Sequence, residues 1–323
     1  MIVRWGIDSL SGVLAELSVQ RPLLVTSERW AELELPVERR FSGVLPHAEV
    51  EGVEAAVAAA ADADAVVALG GGSAIDTAKA VSQRLGLPQI SIPTTYSGAE
   101  WTQFFGVRDP ATKSKAGGGG ALVQAIVYDP ELTLDLPPAS TGGTALNALA
   151  HCAEALYAPG RSVHTDSEAL AGAALISASL PAVLDEPHDR EARRALLEGA
   201  MHAGAALRAG MGVGHAMAQA LGGRYGLAHG AMNGVCLGPA LRFNAEVAAE
   251  EIARFGSAMD AGEPVARVQE LAGLANPTRL RDYDVPREEL DELARQTAAR
   301  PAAQSNPRPA TPEAILEMFA SAW

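Results

Sequence analysis

The chain has 323 residues, 48% of them hydrophobic and 20% charged, and its 39 Asp and Glu against 25 Lys and Arg leave a net charge of −14. That length exceeds what one hydrophobic core usually organises, so two domains sharing a cleft are expected, each able to fold without staples. The acidic balance has no compensating Lys/Arg cluster, which removes attraction to a phosphate backbone and argues against nucleic acid as a partner. The two cysteines, Cys152 and Cys236, are too few for a disulfide framework and read as small buried hydrophobes in a reducing compartment. The start, MIVRWGIDSL, lacks the basic region and apolar core of a signal peptide, and no apolar run approaches the ~20 residues of a membrane span. A cytoplasmic protein with no membrane association is expected.

Residues 22–26 (PLLVT), 65–69 (AVVAL) and 89–93 (QISIP) are short apolar runs of the kind found in strands buried on both faces. Helical spacing predicts helices over 50–62 and 74–84 between them. Strand, helix, strand in this order implies a parallel sheet with right-handed crossovers, so residues 1–137 read as an open α/β domain. The Gly117–Gly120 run beside Lys113 and Lys115 reads as a flexible loop near the cleft or as a plain linker. Pro137-Pro138 marks a boundary, because the residue before each proline is driven out of the helical region. Beyond it, 144–157, 166–184, 190–208, 213–221, 246–259, 264–274, 287–298 and 312–322 read as Ala- or Leu-rich helices, and residues 138–323 form a helical domain. No internal repeat is visible.

Three motifs carry chemistry. In the first, Gly70, Gly71, Gly72 and Ser73 stand between a buried strand and a helix start. Residues without a Cβ let backbone amides approach a phosphate, and the helix dipole adds positive charge there. The spacing is neither GxGxxG nor a Walker loop, and a turn with Ser73 as N-cap is the bland alternative. The second, IPTTYSGAEWT (92–102), supplies the hydroxyls of Thr94, Thr95 and Ser97 at the end of another strand, where open α/β sheets bind ligands; an ST-rich turn is the competing reading. In the third, Asn147 and His151 stand four apart on one helical face, and His215 and His229 follow on apolar helices. Together these could converge on a metal or on a substrate anion, although each alone reads as a satisfied structural histidine.

The order GGGSAIDTAKA, IPTTYSGAEWT, IVYDPELTLDLP, NALAHCAEALYA, GHAMAQALGGRYGLAHGAMN and NPRPAT resembles the iron-containing alcohol dehydrogenase superfamily over roughly residues 40–245 and again near the C-terminus. Within it, FSGVLPH (41–47), IPTTYSGAEWT, NALAHCAEALYA and NPRPAT look like the maleylacetate reductases. The resemblance implies a dehydroquinate synthase-like fold: an N-terminal parallel α/β nucleotide-binding domain and a C-terminal helical one. It implies NADH- or NADPH-dependent reduction of an enol-activated anionic substrate such as maleylacetate, in a homodimer. It assigns Gly70, Gly71, Gly72, Ser73 and Asp76 to the cofactor, with Thr94, Thr95 and Ser97 lining its cleft and Lys113 as a counter-charge. The family's metal positions, occupied there by Zn or Fe, fall on Asn147, His151, His215 and His229; His47 would lie near the nicotinamide or substrate. The diphosphate on the glycine amides would then face the imidazoles across the cleft.

Two positions depart from that pattern. Asn147 stands where metal-dependent members carry an aspartate, and a neutral amide weakens cation binding while leaving the histidines suited to a dicarboxylate. Gln219 stands where a proton-relaying histidine is usual, and glutamine cannot exchange a proton near neutral pH. His215, His151 or Tyr96 would then take over that role. A Zn- or Fe-dependent alcohol dehydrogenase and a non-redox lyase or cyclase on the same fold are the rival readings. After the strand at 23–26, Ser27 in place of a ribose-binding aspartate, with Arg29 nearby, would admit NADPH, whereas Glu28 argues for NADH.

Overall fold

A computed structural model describes residues 1–112 and 114–323, with Ser114 and Lys115 described by their backbone. The chain divides into two compact units, Met1–Thr133 and Leu134–Trp323. The division falls a few residues before Pro137-Pro138 because buried Arg193 donates to Leu134 O at 3.2 Å and to Thr141 Oγ1 at 3.1 Å, which draws this segment into the helical unit.

The first unit runs β1 (Ile2–Trp5), α1 (Leu10–Glu16), β2 (Pro22–Thr26), β3 (Arg39–Phe41), α2 (Val50–Ala59), β4 (Ala65–Gly70), α3 (Gly72–Leu85), β5 (Pro88–Pro93), β6 (Phe105–Asp109), β7 (Ser114–Gly118) and β8 (Leu122–Tyr128). Its six-stranded sheet is parallel throughout, in the order β1-β8-β5-β4-β2-β3. The three strands expected from apolar runs are β2, β4 and β5, neighbours at the centre, where both faces are covered and apolar side chains predominate for the same reason. Strands β1 and β3 form the edges, are short and half-buried, and so lack that signature. From β2 the chain goes outward to β3 and returns to β4 on the other flank, which puts the ends of β2 and β4 at the switch point of the sheet.

The glycine run at 117–120 is not a free loop. Strand β7 pairs antiparallel with β6, and a Cβ on Gly118 would stand 2.4 Å from the ring of Phe105. Glycine is required because aromatic rings lie over the strand.

The second unit is helical: α4 (Pro138–Ala155), α5 (Val163–Asp185), α6 (Arg190–Ala206), α7 (Val213–Tyr225), α8 (His229–Asn244), α9 (Ala249–Ala258), α10 (Pro264–Gly273), α11 (Leu290–Ala298), α12 (Pro301–Gln304) and α13 (Pro312–Ala322). Helix α8 was hidden in the sequence by Pro239 and by Gly230, Gly234 and Gly238, all poor helix formers. The glycines serve packing: a Cβ on Gly230 would lie 2.5 Å from the backbone of Gly143 in α4, so the two helices touch backbone to backbone. Helix α5, 23 residues long, is long and apolar enough by length and composition to cross a membrane, which corrects the expectation that no run approaches that size. It packs as a core helix, with Gly172 against Cys152 Sγ of α4 and Gly199 O of α6. Both cysteines are buried and free.

Replacing Gly230 by Ala is expected to lower unfolding free energy by about 1–3 kcal/mol, the range of core overpacking. Chemical denaturation measures it; a loss within ~0.3 kcal/mol would mean that α4 and α8 separate without strain.

Candidate active site

The first two motifs leave the C-terminal ends of adjacent strands. Gly70 of β4 pairs with Pro93 of β5, and Thr94 N–H donates to Gly70 O at 3.1 Å. Gly70 has φ +147°, open to glycine, and Ala74 would collide with any side chain there at 2.8 Å. A Cβ on Gly71 would lie 2.9 Å from Thr95 Cγ2, and one on Gly72 3.8 Å from Ser97 Oγ. The glycine loop and the hydroxyl-rich turn are thus in contact. No side chain caps α3, whose Ala74 N–H turns back to Gly71 O at 3.0 Å, and Thr95 Oγ1 is buried without a partner among the described residues.

Other expected residues of this unit divide. Ser73 Oγ accepts the backbone N–H of His47 at 2.9 Å, and His47 is held in the left-handed region at φ 58°, which fixes it beside the loop. Asp76 is committed elsewhere: its Oδ2 accepts Gly106 N–H at 3.1 Å, tying the β6–β7 hairpin to α3. Tyr96 is fully buried in the sheet unit, which does not suit the proton-relaying role considered for it. Lys113 lies outside the described residues. Sequence reading passed over Lys79, whose buried ammonium donates to Ala99 O at 2.5 Å, Thr102 Oγ1 at 3.2 Å and Phe104 O at 2.7 Å. This clamp fastens the second motif to the helix of the first, and burial pulls the Lys79 pKa down despite Asp76.

In the helical unit, α4 presents Asn147 and His151, α7 presents His215 and Gln219, and α8 opens on His229. The rings of His151 and His215 stack, with centroids 4.6 Å apart and planes 10° from parallel, and His229 tilts against His215 at 6.0 Å. Asn147 Oδ1 accepts from Asn233 Nδ2 at 2.7 Å, and Asn233 Nδ2 also lies 3.1 Å from His229 Nε2. The four positions expected to converge do so. Gln219 stands one turn beyond His215, half exposed.

Two residues missed in the sequence organise the site. Glu154, fully buried, accepts Gly212 N–H at 2.6 Å, Gly214 N–H at 2.9 Å and His215 N–H at 3.3 Å, and meets His215 Nδ1 at 2.6 Å. A carboxylate at a helix N-terminus is favoured by the dipole and the open amides. It fixes Nδ1 as the bonded nitrogen and leaves Nε2 to a ligand. Asn233 is the other, four residues after His229, the same spacing that singled out Asn147 and His151. His215 Nε2 and His151 Nδ1 are buried without a partner among the described residues. Such atoms cost about 1–3 kcal/mol each unless a ligand meets them.

Burial, followed by His215 and His229 as neighbours, holds the His151 pKa well below 6.5, so its ring is neutral in the fold. Its folded value lies below its unfolded one, so stability is complete above pH 6.5 and is lost as pH falls from there through the lowered value. Denaturation midpoints are expected to drop on acidification below 6.5, and His151→Gln to flatten that slope; equal slopes would refute the assignment. Glu154→Gln would place an amide NH₂ against backbone donors and should cost about 3 kcal/mol on denaturation. It should also change the imidazole ¹⁵N signature of His215, which a purely structural carboxylate would leave alone.

The chain matches two family models, iron-containing alcohol dehydrogenase over residues 4–130 and the C-terminal part of the Fe-containing alcohol dehydrogenase family over residues 141–323. It is 35% identical over 286 residues to a maleylacetate reductase of Sphingobium indicum, covering 87% of this chain and 81% of that protein. With a maleylacetate reductase of Burkholderia cepacia it shares 38% over 265 residues, or 81% and 74%. The crystal structure of maleylacetate reductase from Agrobacterium tumefaciens superposes with a TM-score of 0.90 at 31% identity, covering 100% of this chain and 95% of that one. Family models that together span nearly the whole sequence, and relatives above 30% identity over most of it, show that this chain belongs to the iron-containing alcohol dehydrogenase family.

Proposed function

We propose that the protein is a reductase of maleylacetate or a similarly enol-activated carboxylate, working with NADH or NADPH and without a metal ion. The observation that carries the reading is the cluster of three imidazoles with a neutral amide in place of an acidic ligand, Asn147, in a family whose relatives above include maleylacetate reductases.

The dinucleotide, when bound, supplies the hydride. The uncapped start of α3, the side-chain-free approach over Gly70, Gly71 and Gly72, and the orphaned hydroxyl of Thr95 suit its diphosphate. His47, fastened to Ser73, is the residue of this unit suited to the nicotinamide or the substrate. Ser27, just after β2, adds no carboxylate to repel a 2′-phosphate, and Arg29, 5.1 Å above the Trp30 ring, adds positive charge two residues on, which supports NADPH as well as NADH.

Hydride addition to the activated double bond sends electrons into the adjoining carbonyl oxygen, and a proton must follow. Gln219 can orient the substrate through hydrogen bonds and cannot deliver that proton. His215 can: Glu154 compensates positive charge on its ring, and Nε2 is the atom left to transfer the proton. His151 and His229 hold the carbonyl and the anion.

A divalent cation does not fit this arrangement. An imidazole nitrogen directs its lone pair in the ring plane, and the nearly parallel, stacked planes of His151 and His215 do not meet at a metal. Asn147 Oδ1 is already bonded to Asn233, and no group of three His, Cys, Asp or Glu among the described residues is assembled to hold an ion. No step is derived through one. The same reading takes the enzyme as a cytoplasmic homodimer acting on a small anion.

Adding maleylacetate to the protein with NADH or NADPH is expected to consume the reduced nicotinamide at a rate that prior treatment with EDTA leaves within ~2-fold, whereas removal of a catalytic Lewis acid costs orders of magnitude. Loss of turnover with the chelator would establish the metal-dependent alternative, and no turnover with either cofactor would end the reductase reading.

A further inference from the structure

We propose that Arg300 is the distal carboxylate-binding residue of the substrate site, so that the enzyme selects dicarboxylates over monocarboxylates. The inference rests on the reductase reading for the identity of the substrate, and on the following geometry for the place where the anion binds.

Arg300 joins α11 to α12, and its backbone N–H is bonded to Thr297 O at 3.0 Å. Its side chain is half-buried, Nε is sealed from solvent without a partner, and no carboxylate pairs with it among the described residues. Several arginines that pair with carboxylates behave differently. Arg161, Arg224 and Arg295 each hold a carboxylate that raises their pKa, whereas burial alone acts on Arg300 and lowers it. A partly desolvated guanidinium is less favourable until an anion meets it, and its planar fork fits a carboxylate through paired hydrogen bonds.

Its position gives the site direction. Arg300 Nη2 lies 3.8 Å from where a Cβ on Gly223 would be. His215, Gln219 and Gly223 are spaced i, i+4 and i+8 on α7 and form one ridge along the helix. The ridge begins with the unpaired Nε2 of His215, continues through a glutamine able to hydrogen-bond, and ends in a glycine notch covered by the unpaired cation. Eight residues advance about 12 Å along the axis, a span reduced by the reach of the two long side chains and suited to a short diacid. Packing of Ala302 and Ala303 of α12 against Ala216 holds Arg300 against this side of α7. A substrate whose carbonyl meets the imidazoles would place its far carboxylate at the guanidinium.

Two measurements on Arg300→Gln and Arg300→Lys test this. With maleylacetate, R300Q is expected to raise KM at least ~10-fold while kcat falls less and KM for the nicotinamide cofactor stays put, with partial recovery in R300K. With succinate, which has no reducible bond, thermal shifts should give a dissociation constant for the wild type that weakens at least ~10-fold in R300Q. Because the cation has no partner to lose, the melting temperature of R300Q without ligand should equal or exceed that of the wild type. If succinate binding depends on Arg300 but maleylacetate is not turned over, the anion site stands and the reductase reading falls. Failure of the wild type to bind succinate, equal binding by R300Q, or a lowered melting temperature with unchanged binding each overturns the proposal.

Discussion

The carboxylate of Glu154 holds the imidazole site of the helical unit together. It draws in the amides of Gly212, Gly214 and His215 and the ring of His215, joining α4 to the start of α7. Asn306 adds to it by accepting Val213 N–H at 3.2 Å, while its own amide donates to Asn244 Oδ1 and Arg308 O. A charge so deep is tolerable only because every lone pair is met, and the arrangement leaves no space for side chains. A Cβ on Gly214 would stand 2.8 Å from Glu154 Oε1, and one on Gly212 3.0 Å from Asn306 Oδ1. From this knot follow the orientation of His215 and the line of the ridge that leads to Gln219 and Gly223.

Absence of a Cβ recurs as the device by which segments far apart in the chain are brought together. Gly71 admits Thr95, Gly118 admits the Phe105 ring, and Gly143 and Gly230 let α4 and α8 meet at their backbones. Each glycine lowers local propensity for the element that contains it and contributes a contact that no larger residue permits. The glycine loop before α3 and the start of α8 therefore lie where local preference is weak, and what holds them is packing.

Electrically, the imidazole cluster carries little charge of its own. Asn147 and Asn233 form a neutral amide pair beside His229, and burial with neighbouring rings keeps His151 uncharged. On the reading proposed above, neutral donors and acceptors of this kind favour an anion over a cation.

Composition, periodicity and motif order determined the class of the protein, its glycine loop at the end of β4 and the residues of the imidazole cluster, because each of these is written in contiguous residues: buried central strands, a glycine triplet before a helix, and Asn147 and His151 one turn apart. Edge strands, the β6–β7 hairpin and helix α8 were not legible, since their residues follow requirements set by neighbours distant in the chain. The same holds for Glu154, Asn233, Lys79 and Arg300, ordinary polar residues on paper. Glu154 and Asn233 matter through partners on other helices, Lys79 through the turn it clamps, and Arg300 through the partner it lacks. Whether a polar side chain is buried, satisfied or left waiting is a property of packing, which sequence spacing alone does not encode.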